Sequence, residues 1–451
     1  MQIDLITLRT YIEVYTDFIR AYEERIRKSE QLPQEWYIPF CIMTSGDTHE
    51  QTISLLKEHN NYGMKPDQIS IVRQNKIPAI IDNECHLALQ PNTLLIETKP
   101  HGHGDIHYLL YHSRKAEEWI SKGKKYMVQF MDTNALSFNC IPASIGASVK
   151  YNYDVNSIVV PRRPKDEIGI ICRINRKDGT SVIQNVEYNL VNTLLKDNYN
   201  GKGDIANESG FCDFPGNLNV LVFKLDPYLK ILEETQGLVP EFVNPKYIND
   251  SRNQFKSPTR LECLMQDVPK LIKNGESVGY THFDRWFCFS ACKNNLKTAI
   301  EKLKKNETAE SAFTMERDVF KANERIMSKI CRKLEIIKTE PENELVIEGI
   351  NVKFGPKIII YPSYAPTISE LKMKLIKMKQ GIKMTNNSTL ILRNDIDIIE
   401  GIDLDGYLIV DKDEKDLVVC KNKKKIIYSP LKMGEGQEHE KLRGYTILKH
   451  N

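Results

Sequence analysis

The chain has 451 residues, which is long for one ordinary domain and predicts a large domain of about 250 to 300 residues with a smaller one attached. Its 63 Lys and Arg nearly balance its 60 Asp and Glu, so the net charge of +3 does not favour a nucleic-acid partner. There is no apolar run near the roughly 18 residues of a membrane span, and the ten cysteines form no CxxC pair. We therefore expect a protein of the cytoplasm, which is a reducing compartment, with no nucleic-acid or membrane partner.

The first part of the chain alternates between predicted helices and strands. Apolar side chains recur at helical spacing from residue 6 to residue 29, which predicts an amphipathic helix. The segments that follow are strand 37–45, helix 48–60, strand LLIET at 94–98, helix 106–122 and strand YMVQFM at 126–131. This alternation is typical of an α/β domain with a parallel sheet and helices on both faces.

Three polar loops follow these strands, namely MTSGDTH at 43–49, TKPHGHGD at 98–105 and DTN at 132–134. In open α/β sheets, ligands bind beyond the carboxyl ends of the strands. We therefore expect the three loops to share one edge of the sheet and to form one ligand site.

The character of the chain changes towards its carboxyl end. Residues 297–340 are rich in Lys and Glu, which predicts a solvent-facing helical segment. From about residue 345, short β-type segments such as TLILR, GYLIV and LVVC recur, which predicts a small all-β domain, with a parallel β-helix as one form of it. The predicted domains are a core at 1–296, a helical connection at 297–344 and the β-helix-like domain at 345–451.

The run TKPHGHGDIH at 98–107 is the strongest pointer to a site. Its glycines allow close backbone approach to a ligand, and its histidines offer ring and hydrogen-bond contacts. The alternative is a tight turn with surface or capped histidines. A zinc site at His101, His103 and His107 is a weaker alternative, because a loop and the start of a helix do not fix them on one face.

Further polar residues stand where ligands would bind. Asp132 follows an apolar strand, where a carboxylate suits Mg²⁺ carrying nucleotide phosphates, and its alternative role is a helix cap. Asn134 and Asn217 suit sugar hydroxyls or turns. Glu187 ends a predicted strand and could accept bonds from a hydroxyl pair. The lysines at 165, 246, 256 and 293 do not stand out on chemistry alone.

Taken together, the segments resemble the UDP-sugar pyrophosphorylases of plants and protozoa. The matching runs occur in order from about residue 37 to 295. They are IMTSGDTHEQT, YGMKPDQISIVRQNKIPAI, ETKPHGHGDIHYLLY, MDTNALSF, IPASIGAS, YDVNSIVVPRRPKDEIG, NVEYN, FPGNLN, EFVNPKY and FKSPTRLECLMQDVPK. Weaker similarity continues from GIDLDGYLIV to GYTI near the end of the chain.

The resemblance implies a glycosyltransferase-A-like (Rossmann-like) mixed-sheet α/β core with a small carboxyl-terminal β-helical domain. It also implies a uridylyltransferase that reversibly converts UTP and a sugar 1-phosphate into a UDP-sugar and diphosphate, with Mg²⁺ as cofactor. The implied roles are uridine binding by Met43, Lys99, Pro100, Gly102 and His103, catalysis by Asp132 as the Mg²⁺ ligand and by Lys293 at a phosphate, contact with the ribose or sugar by Asn134, and sugar binding by Glu187 and Asn217.

Two departures from the family pattern affect what we expect of the chain. The family places a glycine-rich loop of the form LAGGLGERLG ahead of the first helix, whereas the first glycine here is Gly46. We therefore expect little or no pyrophosphorylase activity from these residues alone and activity from a version extended upstream. In EIGII, Gly169 is followed by Ile170 where many relatives have two glycines, which could narrow the sugar pocket.

Several alternatives stay open at this point. A UDP-glucose or UDP-N-acetylhexosamine pyrophosphorylase is the nearest enzymatic one, although PHGHGD and FPGNLN favour the broad-specificity family. A non-catalytic protein that binds uridine nucleotides is the alternative from another class, because the phosphate-binding loop is missing. The preferred sugar 1-phosphate, the oligomeric state and the role of the carboxyl-terminal domain are not determined by the sequence.

Overall fold

The computed structural model describes residues 1–249, 251–272, 277–331, 333–339 and 344–449. The helices are α1 (Tyr11–Glu30), α2 (His49–Glu58), α3 (Asp105–His112), α4 (Lys115–Ser121), α5 (Ser137–Tyr151), α6 (Tyr188–Asn198), α7 (Leu225–Thr235), α8 (Arg285–Cys288), α9 (Leu296–Lys304), α10 (Ala312–Ile330), α11 (Ile368–Lys377) and α12 (Glu438–Lys441). Single 3-10 helices occur at Asn60–Gly63 and Met265–Leu271. Within these residues, no helix is both long and apolar enough to cross a membrane.

The strands of the first part are β1 (Phe40–Thr44), β2 (Ile69–Arg73), β3 (Lys76–Pro78), β4 (Thr98–Pro100), β5 (Tyr126–Gln129), β6 (Val155–Val160), β7 (Ile170–Asn175), β8 (Ser181–Val186), β9 (Gly216–Lys224), β10 (Glu241–Val243), β11 (Leu261–Cys263) and β12 (Val278–His282). Those of the last part are β13 (Leu334–Ile337), β14 (Glu344–Ile347), β15 (Ile350–Lys353), β16 (Lys357–Ile360), β17 (Gly381–Thr385), β18 (Thr389–Leu392), β19 (Gly401–Leu404), β20 (Tyr407–Val410), β21 (Leu417–Cys420), β22 (Ile426–Pro430) and β23 (Tyr445–Lys449).

Contacts divide the chain into two compact units. One contains residues 1–37, 131–142 and 284–451, and the other contains residues 38–130 and 143–283. The mixed α/β fold predicted from the sequence is confirmed. The functional domains predicted at 1–296, 297–344 and 345–451 stay a prediction.

The central sheet of the second unit has the order β12-β6-β9-β7-β8, with β5 also paired to β9. Strand β12 runs parallel to β6, whereas β9 is antiparallel to β5, β6 and β7. Every residue of β6 is buried, as expected of a central strand. The expectation of a parallel sheet is therefore wrong. Strands β7 and β8 form a hairpin around Asp178 and Gly179, and this Asp-Gly turn signal in the sequence indicated an antiparallel pair.

The three polar loops do not extend from one sheet edge. Strand β1 pairs with β2, β4 pairs with β3, and β5 belongs to the central sheet. The predicted strand LLIET is also wrong, because Leu94 is 91% exposed in a turn and β4 begins only at Thr98. The loops after β1, β4 and β5 thus follow three different sheets, and the expectation of a shared edge fails.

The first unit begins with a short buried segment ahead of α1. Asp4 Oδ1 accepts hydrogen bonds from the backbone N–H groups of Ile6 and Thr7, which turns the chain before the helix. Thr10 then caps α1 in a capping box with Glu13. The predicted helix therefore starts at residue 11 rather than 6.

Residues 297–340 are largely helical, as predicted, but they are not solvent-facing. Helix α10 buries Phe313, Phe320 and Met327, which recur every seven residues along one face, and it buries Met315 on another face. Lys321, Arg325 and Lys329 of α10 are exposed whereas Glu316 is buried, so the charge of the segment hid its amphipathic spacing. Residues 332 and 340–343 of the predicted connection lie outside the described residues.

The last part of the chain forms two parallel sheets whose strands alternate along the sequence. One sheet has the order β13-β17-β19-β21, and the other has the order β16-β18-β20. Buried Ile382, Leu390 and Ile402, from successive strands β17, β18 and β19, belong to one apolar cluster. The short β segments predicted after residue 345 are present. Helix α11 was missed, although ISELKMKLIK has helical spacing.

Candidate functional site

The glycines of the PHGHGD loop allow it to lie directly on strand β11. A Cβ atom on Gly102 would lie 2.4 Å from the Cys263 carbonyl oxygen, and one on Gly104 would lie 2.7 Å from the Cys263 carbonyl carbon. Gly102 also has a φ of +137°, which side chains rarely adopt. The Gly104 N–H donates to the Cys263 carbonyl oxygen over 3.0 Å. The glycines therefore serve a close approach of two backbone segments of this chain.

Two histidines of the run bind the main chain of Met265 from both sides. The Met265 N–H donates to His103 Nδ1 over 3.0 Å, and His107 Nε2 lies 3.0 Å from the Met265 carbonyl oxygen. His107 Nδ1 also lies 2.7 Å from the Tyr228 hydroxyl oxygen. His107 is fully buried, which lowers its pKa to about 4. We conclude that His107 is a core residue.

His103 keeps one ring nitrogen for another partner. Because Nδ1 accepts a hydrogen bond, the proton of the neutral ring lies on Nε2. Burial, assisted by the charge of Arg260, lowers the pKa of His103 to about 4. The side chain is thus a neutral hydrogen-bond donor near pH 7, which suits binding better than proton transfer.

His101 points to different partners from the other two histidines. Its Nδ1 lies 2.7 Å from Asp105 Oδ1, and its Nε2 lies 2.7 Å from Glu241 Oε1. The Cys263 thiol donates towards the same Asp105 oxygen over 3.6 Å. The three histidines of the run do not converge on one point, so the zinc alternative at His101, His103 and His107 is wrong. Asp105 is the first residue of α3 and directly follows the N-cap residue Gly104.

Glu187 directly follows strand β8, as the N-cap residue of α6, and lies within a chain of amide side chains. Its Oε1 accepts hydrogen bonds from Asn185 Nδ2 at 2.6 Å and from Gln266 Nε2 at 3.0 Å. Asn217 Nδ2 donates to Asn185 Oδ1 over 3.0 Å and to Asn219 Oδ1 over 3.0 Å. Hydrogen bonds therefore join Glu187 and Asn217, two predicted sugar-binding residues, through Asn185.

The backbone near Asn217 is irregular in a way that supports this network. The register between β6 and β9 shifts between Ser157 and Val159, and Asn219 has a φ of +53°. A bulge at this point lets Asn217 and Asn219 contact each other within one strand. Gly169 completes the packing, because a Cβ atom there would lie 2.5 Å from Asn185 Oδ1.

Ile170 does not narrow this polar region. Its side chain is fully buried in an apolar cluster with Val186, Val191 and Leu195. The expectation that Ile170 narrows a sugar pocket is therefore wrong, since strand alternation directs its side chain into the core.

The remaining predicted uridine contacts flank the glycine loop. Lys99 Nζ donates to the Pro258 carbonyl oxygen over 2.6 Å and lies 3.6 Å from Glu97. The Pro100 carbonyl oxygen accepts a 2.8 Å hydrogen bond from Arg260 Nε. Met43 is half-buried in β1, a strand that does not pair with β4. The structure thus ties Lys99 and Pro100 to the segment that leads into β11.

The other unit carries the remaining predicted residues. The Asp132 side chain is exposed, and the Tyr15 hydroxyl donates to the Asp132 carbonyl oxygen over 3.1 Å. Asn134 is buried, donates to the Cys288 carbonyl oxygen and accepts from the N–H groups of Leu136 and Ser290. Its amide therefore holds the main chain after Asp132.

Lys293 lies in the same unit as Asp132. Its Nζ lies 3.5 Å from Glu310 Oε2, and the side chain is 40% exposed. An exposed ammonium group of this kind can still bind a phosphate, since it has three donors. The other lysines considered, at 165, 246 and 256, are exposed.

Sequence reasoning did not single out several residues of these groups. They are Asn185, Asn219, Glu241, Cys263 and Gln266, which come from four separate stretches of the chain that no local pattern links. The sequence marked these residues only because they lie within the runs that resemble the family, namely NVEYN, FPGNLN, EFVNPKY and FKSPTRLECLMQDVPK.

Comparison with known proteins identifies relatives of the chain. A family model described as UTP--glucose-1-phosphate uridylyltransferase matches residues 16–184. A UDP-sugar pyrophosphorylase of Arabidopsis thaliana is 40% identical over 402 residues, covering 89% of this chain and 64% of the relative. One from Oryza sativa subsp. indica is 38% identical over 410 residues, covering 90% and 65%.

These matches confirm the resemblance that the ordered sequence runs indicate. The chain spans 64% to 65% of the length of these two relatives. A crystal structure of the uridine diphosphate N-acetylglucosamine pyrophosphorylase from Trypanosoma brucei, in complex with inhibitor, matches with a TM-score of 0.54 and 16% identity. That match covers 82% of this chain and 69% of the other, and it concerns the fold alone.

Proposed function

We propose that the chain forms the body of a UDP-sugar pyrophosphorylase, which converts UTP and a sugar 1-phosphate into a UDP-sugar and diphosphate. The two plant relatives that match most of the chain carry this name. Within the chain, the observation that carries the proposal is the hydrogen-bonded group of Glu187, Asn185 and Asn217 at the end of β8. Carboxylates and amides held rigidly together suit recognition of sugar hydroxyls.

The sugar would bind at Glu187 and Asn217. Gln266 Oε1 is buried and has no hydrogen-bond partner among the described residues, so an acceptor is available beside Glu187. A buried acceptor without a partner is costly unless a ligand or water satisfies it. A hydroxyl group of a bound sugar would remove that cost, which supports a sugar-binding role for this group.

The uridine would bind at the glycine loop. Neutral His103 has an Nε2–H free to donate to a carbonyl oxygen of the base, and Gly102 is assigned to the same site by the family resemblance. We assign Met43, Lys99 and Pro100 to the same ligand on the strength of the family resemblance. Lys99 keeps two of its three donors when it is bound to Pro258, so it can still contact an anion.

Asp132 fits a magnesium ligand. Its carboxylate is exposed, and its backbone is fixed by Tyr15 and by the buried amide of Asn134. Magnesium is usually bound through one or two carboxylates, with water and substrate phosphates as the other ligands. When bound, Mg²⁺ would neutralise charge on the phosphate oxygens of UTP.

In the reaction, an oxygen of the sugar phosphate attacks the α-phosphorus of UTP in line, and diphosphate leaves. No covalent enzyme intermediate is required, because the protein only has to align two anions and stabilise their charge. Lys293 would supply a positive charge at a phosphate. His103 would bind rather than transfer a proton, since the attacking phosphate is already ionised near neutral pH.

The finer fold assignment belongs to the same proposal. We propose a glycosyltransferase-A-like core over residues 1–296, a connection over 297–344 and a β-helix-like domain over 345–451. The alternation of β16 to β21 between two parallel sheets supports the β-helical assignment. The ten cysteines are all free thiols, which supports a cytoplasmic location.

Calorimetric titration of the purified 451-residue chain tests the proposal. We expect UTP and UDP-glucose to bind and ADP-glucose not to bind. With sugar 1-phosphate and Mg²⁺ present, we expect little or no diphosphate release from UTP by these residues alone and release by a version extended upstream with the glycine-rich loop. Binding without diphosphate release by the extended version would favour the non-catalytic alternative. A preference for UDP-N-acetylglucosamine over UDP-glucose, UDP-xylose and UDP-galactose would favour a UDP-N-acetylhexosamine pyrophosphorylase. Absence of any uridine-nucleotide binding would refute the proposal.

A further inference from the structure

Three side chains that can each ligate a metal converge where the glycine loop meets β11. They are His101, Asp105 and Cys263, and one ligand atom of each lies within 4.8 Å of the others. The His101 and Asp105 side chains are 14% and 12% exposed, and Cys263 is 2% exposed. Among the described residues, this is the one group of three or more His, Cys, Asp or Glu with such spacing.

The backbone brings these side chains together. Gly102 and Gly104 leave no Cβ between the loop and β11, so His101 and Asp105 lie on either side of the point where the loop touches Cys263. The Cys263 N–H also donates to the His101 carbonyl oxygen over 3.3 Å. Any side chain at either glycine would separate the thiol from the other two groups.

A fourth residue completes the arrangement from behind the imidazole. Strand β10 pairs antiparallel with β11 and sets Glu241 opposite Cys263. Glu241 Oε1 lies 2.7 Å from His101 Nε2, although the N–H is not aligned for a hydrogen bond, while the other ring nitrogen, Nδ1, faces Asp105. A histidine that binds a metal through one nitrogen usually donates its other N–H to a carboxylate, which fixes the ring.

We propose that His101 Nδ1, Asp105 and Cys263 form a zinc-binding site whose imidazole is oriented by Glu241. The combination of thiolate, imidazole and carboxylate selects zinc over magnesium or calcium, which prefer oxygen ligands alone. Three protein ligands leave one position of a tetrahedral zinc ion for water or another ligand. The bound ion would fasten the glycine loop to β11, and this role does not depend on the proposed reaction.

The imidazole and the carboxylate can take positions around one ion with a small side-chain movement. Nδ1 and Oδ1 now lie 2.7 Å apart as hydrogen-bond partners. Ligand atoms about 2.0 to 2.1 Å from a tetrahedral zinc ion lie roughly 3.3 Å apart, so the pair has to separate by about 0.6 Å. Rotation of the Asp105 carboxylate supplies such a change without moving the backbone.

Metal analysis of the full 451-residue chain tests the site. The protein is stripped with a chelator, incubated with zinc chloride, passed through gel filtration and measured by mass spectrometry for bound metal. We expect one zinc per chain. Titration with cobalt chloride should give a thiolate-to-cobalt charge-transfer band in the near ultraviolet, because Cys263 is a ligand.

Matched variants identify the ligands. Cys263→Ser should abolish the charge-transfer band and weaken zinc binding at least tenfold, whereas Cys85→Ser, which removes an exposed thiol elsewhere, should leave both unchanged. Glu241→Gln should keep the band and weaken binding about 10- to 100-fold. Glu262→Gln, one residue from Cys263 on the opposite face of β11, is its control.

Circular dichroism of each metal-free variant establishes that it folds. If Cys263→Ser does not fold, the cobalt spectrum of the unaltered chain and the Glu241→Gln titration decide the matter. Less than one zinc per chain, a missing charge-transfer band, or zinc affinity that Glu241→Gln leaves unchanged would each overturn the proposal.

Discussion

Arg443 Nε donates a 2.6 Å hydrogen bond to Glu316 Oε2, and both side chains are completely buried. The Tyr445 hydroxyl donates to the same carboxylate oxygen, and the Leu5 N–H donates to Oε1. One carboxylate on α10 thus joins the start of the chain to the turn before β23. All these residues belong to one compact unit.

We expect Glu316→Gln to lower the free energy of unfolding by about 3 to 5 kcal/mol. The guanidinium of Arg443 would stay buried without its countercharge, and an unpaired buried charge is costly. Urea unfolding followed by circular dichroism measures the change.

The control is an ion pair of similar length on the surface of the same unit. Arg393 Nη2 lies 2.8 Å from Asp411 Oδ2, with side chains 40% and 43% exposed. Asp411→Asn should cost less than about 1 kcal/mol. Equal losses from the two variants would contradict the role assigned to burial.

The sequence predicted the elements of this fold better than their assembly. Local spacing located α1, α2, β1 and β5 within a few residues. It did not reveal that Asp4 turns the chain before α1, because that turn depends on backbone hydrogen bonds of Ile6 and Thr7. Sheet pairing was wrong because it depends on contacts between distant strands, such as β9 with β5 and β6.

The candidate site shows the same limit. Glu187 was correctly expected at the end of a strand, because alternation around Val182 and Val186 is local. Its partner Gln266 lies 79 positions further along the chain, and no spacing rule connects them. The role of the PHGHGD loop in ligand binding stays a prediction, and the approach of its glycines to Cys263 is a contact that sequence alone could not indicate.

Lys357 gives a prediction that depends on pH. Its side chain is fully buried, and its Nζ has no hydrogen-bond partner among the described residues. Burial, with the nearby charge of Lys425, lowers the pKa of the ammonium group to about 8. We expect Lys357→Met to raise the free energy of unfolding at pH 7 by about 1 to 3 kcal/mol, because burial of the charge is no longer required.

The sign of the pH effect follows from proton binding. Between the folded pKa of about 8 and the ordinary lysine pKa of 10.5, the unfolded chain holds a proton that the folded chain has lost. The stability of the unaltered chain therefore rises with pH across this window, and the advantage of Lys357→Met shrinks. Urea unfolding at pH 7, 8.5 and 10 measures the difference, with exposed Lys424→Met as control. A constant advantage over this range would exclude the assigned titration.

Gly102 should not tolerate a side chain. A Cβ atom there would lie 2.4 Å from the Cys263 carbonyl oxygen, and the φ of +137° adds strain. We expect Gly102→Ala to lower the free energy of unfolding by about 1 to 3 kcal/mol.

Gly146→Ala is the matched control, since Gly146 lies in α5 and a Cβ there meets no described atom within 4 Å outside its own helical turn. The control should be neutral or stabilising by up to about 1 kcal/mol. Thermal melts of both variants decide the point, and similar losses would show that the close approach to β11 is not required.

Replacement of Glu187 should weaken binding of a nucleotide sugar without weakening binding of the nucleotide alone. Replacing it by Gln keeps its shape and lets Asn185 donate as before, but it removes the charge that would bind sugar hydroxyls. Because a hydrogen bond to a charged group is worth about 1.5 to 3 kcal/mol, we expect UDP-glucose to bind roughly 10- to 100-fold more weakly. UDP, which lacks the sugar, should bind as before.

Calorimetric titration measures the change in affinity for UDP-glucose and for UDP, with replacement of the exposed Glu208 by Gln as the control. A parallel loss for UDP and UDP-glucose would mean that Glu187 supports the fold of the unit rather than the sugar, because a sugar contact cannot weaken a ligand without a sugar.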